Sequence, residues 1–87
     1  TDDFVKQLHQ TLLNIKAILA AGGAGPEHMT RMTWFITDKQ AYTDNLRAIG
    51  GAYREIMGKN FPAMSVVQVK ALIEDRAKIE IEVTAVK

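Results

Sequence analysis

The sequence predicts an α+β layer, two helices packed on one face of a mixed sheet, in the order helix–strand–helix–strand–strand. Apolar stripes at spacings of three and four, one within residues 1–21 and one within 39–57, predict the helices. Short runs rich in Val, Ile and aromatic side chains, 29–37, 63–69 and 78–86, predict the strands. Gly22-Gly23, Gly58 and Asn60-Phe61-Pro62 punctuate the chain between them.

The first stripe is Phe4, Leu8, Leu12, Ile15 and Leu19, widened by Val5 and Ile18. Thr1 or Asp2 is placed to cap this helix, and Asp2 and Asp3 suit the positive end of its dipole. Gly22 and Gly23 end it, because glycine accepts a left-handed closing turn. Along 29–37, Met32, Trp34 and Ile36 fall on one face and Arg31, Thr33, Phe35 and Thr37 on the other. Neither face is purely polar, so both are expected to be partly covered. Thr37-Asp38-Lys39-Gln40 fits a capping box, with Asp38 as the competing cap. Tyr42, Leu46, Ile49, Tyr53 and Ile56 form the second stripe, and Gly58 closes that helix. Gly50-Gly51 inside it costs about 1 kcal/mol per glycine relative to alanine. The pair therefore reads as close packing against the sheet or another subunit.

Asn60-Phe61-Pro62 ends the helical region, since proline lacks an N–H and holds Phe61 away from helical angles. In the last strand Ile79, Ile81, Val83 and Ala85 face one way, and Lys78, Glu80, Glu82 and Thr84 the other. The strand–helix–strand unit is expected to cross over right-handed, making 29–37 and 63–69 parallel. The last two strands, joined by the eight residues from Lys70 to Ala77, are expected to run antiparallel. Helices on one face leave the other face of the sheet open.

Composition narrows the function classes. The chain of 87 residues is 47% hydrophobic and 24% charged, as expected of one soluble domain. A domain of this size removes only somewhat over ~60% of its unfolded surface from water, so its core is thin and oligomerisation is a natural remedy. Eleven basic and ten acidic residues leave a net charge of +1, with no run of either sign. That argues against a nucleic-acid or membrane-surface partner. The absence of cysteine excludes disulfides, thiolate nucleophiles and sulfur-ligated metals, and fits a reducing compartment. No signal peptide is visible, and no apolar run approaches the ~20 residues of a membrane span.

Asn60-Phe61-Pro62-Ala63-Met64-Ser65-Val66-Val67-Gln68-Val69, then Ala71-Leu72, Ala77-Lys78-Ile79-Glu80-Ile81-Glu82 and Thr84-Ala85-Val86, resembles the C-terminal signature of the RidA (YjgF-type) enamine/imine deaminase family. The resemblance continues through Gln10-Thr11-Leu12, Asn14-Ile15, Thr33-Trp34-Phe35 and Asp38, and covers essentially all 87 residues as a single domain. It implies a chorismate-mutase-like layer, a homotrimer with a barrel-like centre, and a small-molecule ligand in the cleft between subunits. It implies no cofactor, no metal and a cytoplasmic setting. Family members have strands before the first helix, and this chain reads as a family domain without them.

The resemblance also assigns candidate roles. Glu80 matches the family carboxylate that positions the hydrolytic water, where it would act as general base or water anchor. Without the resemblance, Glu80 and Glu82 read as a solvated edge face. Met64 stands where family deaminases place the arginine that grips the substrate carboxylate by a two-pronged, charge-assisted hydrogen bond. A thioether offers only a weak acceptor and apolar contact. The implied pocket is therefore more apolar than in family deaminases and suits a substrate without a carboxylate. Met64 otherwise fills core or subunit interface. Ser65 and Val66 continue the strand, with Val66 where the family often has cysteine, and Gly50 aligns with a ligand-contacting asparagine of some deaminases. The expected site is thus Glu80 as catalyst, with Met64, Ser65, Val66 and Tyr53 binding substrate.

The implied reaction is hydrolysis of an enamine or imine. The rival is a non-catalytic trimer binding a small metabolite, which a cleft plugged by Met64 and Tyr53 would favour. His9 and His28 read as surface or interface packing, and the four methionines as packing. Trp34 and Phe35 can stack bases, but no basic surround supports a nucleic-acid module.

Overall fold

A computed structural model describes residues 3–87. The expected order is found: α1 (Phe4–Ala21), β1 (Met29–Ile36), α2 (Lys39–Asp44), α3 (Leu46–Met57), β2 (Ala63–Gln68) and β3 (Ile79–Ala85). The cap expected at Thr1 or Asp2 lies outside the described residues. Asp3 itself caps α1, its carboxylate accepting from Lys6 N at 3.0 Å. Asp38 wins over Thr37 at α2, accepting from Gln40 N at 2.9 Å.

The second helical stretch is interrupted at Asn45, which the apolar periodicity does not reveal. The Asn45 side-chain amide donates to Ala41 O at 2.7 Å, competing with the backbone for that carbonyl. Gly58, at φ +67°, closes α3 as expected.

The sheet order is β2-β1-β3, with β2 parallel and β3 antiparallel to β1. The last two strands thus run antiparallel, as expected, yet they do not pair with each other: both pair with β1, which lies between them. Trp34 and Phe35 put large side chains on opposite faces of β1, and the central position covers that strand best. The connection 69–78 passes over the end of β1, where Val69 N donates to Ile36 O and Thr37 N to Lys78 O. A bulge between Met29 and Arg31 resets the pleat, so Met29 and Met32 both point inward.

The core lies between the helices and one sheet face. Phe4, Leu8 and Leu12 of α1 meet Met32, Trp34 and Ile36 of β1, Ile49, Tyr53, Ile56 and Met57 of α3, and Ile79 of β3. Ile18, expected to widen the first stripe, is exposed. Gln7 ties α1 to the last strand: its Nε2 donates to Arg76 O at 2.9 Å and its Oε1 accepts from Lys78 N at 2.7 Å. His9 Nε2 lies 3.5 Å from the Glu55 carboxylate on α3, and His28 Nδ1 accepts from Gly25 N at 2.9 Å.

Gly50 and Gly51 do not pack closely against the sheet. Both are exposed, and a Cβ at either would meet nothing within 4 Å. Gly51→Ala is accordingly expected to stabilise the folded protomer by up to about 1 kcal/mol, read from urea unfolding. Destabilisation would mean that another surface packs on that position.

Candidate functional site

The sheet pairing decides which predicted residues can meet. Met64 pairs with Met32 and shares its inward face, so its side chain lies on the helix side of β2. Glu80 pairs with Phe35, on the other face of the sheet. The two residues are also separated by β1. Two strand spacings and about three residues along the sheet put their backbones roughly 14 Å apart. Within one protomer they form no common site. Ser65 stands on the open face opposite Thr33, whereas Val66 turns inward beside Trp34 and packs against the core. Glu80 and Glu82 are both exposed on the open face.

Met64 and Tyr53 do come together. They line a cavity of about 260 Å³ between β1, α2, α3 and the start of β2. The buried Trp34, only 1% exposed, is its floor. Its mouth is formed by Leu46, Phe61 and Met64, which are 54%, 68% and 49% exposed. The walls are aromatic. Trp34 meets Tyr42 edge-on at 6.4 Å between ring centroids, and Tyr53 stacks on Phe61 at 5.6 Å. These contacts follow from the local sequence: Pro62 turns the chain so that Phe61 lies back over α3.

The polar groups in the cavity are few. The Tyr53 hydroxyl donates to Asn60 O. Burial pushes the Tyr53 hydroxyl pKa above its ordinary value. In the unfolded chain a tyrosine ionises near pH ~10; the folded protein holds this proton to higher pH. The associated stability is complete below ~10 and is lost as pH rises through the raised value. The urea midpoint is expected to fall between pH ~9 and ~11, and less steeply in Tyr53→Phe. Equal pH slopes in the two proteins would show that Tyr53 does not carry the effect.

The Trp34 Nε1–H is buried and has no hydrogen-bond partner among the described residues. Arg54 also lines the cavity, a residue to which the strand motifs do not point. Helical spacing held the signal, because Gly50, Tyr53 and Arg54 stand at i, i+3 and i+4. Arg54 thus gives the cavity a cation at its edge. Among the described residues no three His, Asp or Glu side chains assemble as metal ligands, and no helix is long and apolar enough to cross a membrane.

The family model for Endoribonuclease L-PSP matches residues 1–87. The chain belongs to this family. Among curated L-PSP relatives, Myxococcus xanthus Protein DfrA is 35% identical, over 97% of this chain and 60% of its own length. A Salmonella typhimurium 2-iminobutanoate/2-iminopropanoate deaminase is 35% identical, over 99% of this chain and 66% of its own. The chain thus spans less than two thirds of these relatives. Among solved structures, Escherichia coli TdcF with bound serine superposes with a TM-score of 0.80 at 34% identity, over 98% of this chain and 65% of that one. The YjgF gene product of E. coli gives 0.79 at 33% identity, over 98% of this chain and 65% of that one. The RidA/YjgF resemblance read from the sequence is thereby supported at the level of the family.

Proposed function

We propose that the protein hydrolyses a reactive enamine or imine to a carbonyl compound and ammonia in a cleft between the subunits of a homotrimer. The supporting observation is that Met64, at the family's substrate-gripping position, opens onto a ligand-sized aromatic cavity. Because Met64 replaces the arginine, the substrate differs from that of arginine-bearing relatives. Water adds to the imine carbon, one proton passes to nitrogen, and the carbinolamine collapses to carbonyl and ammonia. Glu80 is the residue proposed to hold and deprotonate the water. Since Glu80 and Met64 occupy opposite faces of one sheet, the site requires Glu80 from a neighbouring copy.

The non-catalytic reading has its own support. Glu80 is exposed away from the cavity, and the Tyr53 hydroxyl proton is committed to Asn60 O. A protomer alone offers the cavity no free acid–base pair among the described residues. Assembly separates the readings first. Light scattering at micromolar concentration is expected to return three times the monomer mass, with the Ser65 and Val67 face of β2 buried. A clean monomer would remove the inter-subunit site and leave a binding protein.

A further inference from the structure

We infer that Arg54 is the anion-binding residue of this cavity, and that the ligand it takes is a monocarboxylate with a flat aromatic body. The inference rests on the reading above only in taking this cavity as the ligand site; it does not depend on hydrolysis. Three observations carry it. Arg54 is exposed beside the cavity, and its guanidinium has no hydrogen-bond or ion-pair partner among the described residues. A free guanidinium fork matches a carboxylate in two-pronged geometry. The floor is the buried Trp34, whose Nε1–H is itself shut off from the cavity, so the inner end takes an apolar ring edge. Between floor and rim the walls are aromatic, formed by Tyr42 and the stacked pair Tyr53 and Phe61, with Gly50 adding no side chain to narrow the space.

Size fixes the ligand class further. An apolar cavity of ~150 Å³ accepts benzene. The 260 Å³ here accepts one ring with a short acid arm. The ring lies inside, its far edge towards Trp34, and the carboxylate emerges at Arg54. A position on the last turn of α3 also lets Arg54 complement the helix dipole. That role affects stability but gives no preference for an acid over an amide, so binding selectivity separates the two.

The test uses phenylacetate and the neutral phenylacetamide as probes on the assembled protein, read by the fluorescence of Trp34, the single tryptophan. Phenylacetate is expected to bind at least ~10-fold tighter than phenylacetamide, in line with a charge-assisted pair. Arg54→Gln should erase the acid-over-amide preference while phenylacetamide binding stays within about twofold. Equal binding of acid and amide, retention of the preference in Arg54→Gln, or no binding of any probe each overturns the inference. Phenylacetate binding without turnover of any imine removes the hydrolase and keeps this site. Imine turnover with an unchanged kcat/KM in Arg54→Gln does the reverse.

Discussion

Trp34→Ala is expected to cost about 3–5 kcal/mol of stability, the range for truncating a large buried aromatic. That is a large share of the ~5–15 kcal/mol that holds a small domain together. Trp34 sits at the centre of the central strand, between Val66 on one side and Ile81 on the other. It touches the core of both helical regions through Tyr42 and Tyr53. It also adjoins the cavity, so truncation enlarges an existing void and the surroundings have no simple way to close it. Trp34→Phe is expected to lose less than half as much. It keeps a ring in place and removes the unsatisfied indole N–H, whose burial is itself unfavourable. Urea unfolding followed by circular dichroism measures both. A loss below ~1 kcal/mol in the alanine variant would contradict the central role given to this residue.

Turnover of 2-aminoacrylate, or of imines made from small amino acids, is expected to be at least ~100-fold below that of an arginine-bearing relative. The reason is the proposal above that Met64 stands where such relatives carry a guanidinium. A charge-assisted bidentate contact contributes several kcal/mol, and about 3 kcal/mol already corresponds to that factor. Arg54 does not restore it for small substrates. It enters the cavity from α3 and not from β2, so it would hold a three-carbon acid in a different place. A coupled assay generating the imine with an amino-acid oxidase decides the matter. Rates comparable to the relative's would show that the carboxylate is gripped without an arginine at position 64.

The fold was legible wherever the signal was local. Strict alternation assigned the two faces of β3, and the Asp38 cap and the Gly58 closure followed from residue type and position. The pairing of strands was not legible in the same way. An eight-residue link favours a hairpin on length alone, while the placement of β1 between its partners depends on burying bulk on both its faces. The candidate site suffered from the same gap. Whether Met64 and Glu80 face each other depends on registers of 64 with 32 and of 80 with 35, which differ in parity. Arg54 was overlooked for a different reason: a charged residue beside an apolar stripe reads as solvated until the position of Phe61 and Pro62 makes a cavity next to it.

The central position of β1 also sets the order in which the chain can fold. Its partners are distant in sequence, Met64 for Met32 and Ile81 for Trp34, and Gln7 of α1 waits for Lys78. Few of the contacts that define the sheet can form early, so loop closure must be met before pairing rewards it. Refolding on the millisecond-to-second scale is the consequence, slower than for a helical bundle of equal length. Until β3 docks, one edge of the most apolar strand remains open and α1 lacks its anchor. That interval is when the chain is most exposed to pairing with another copy of itself.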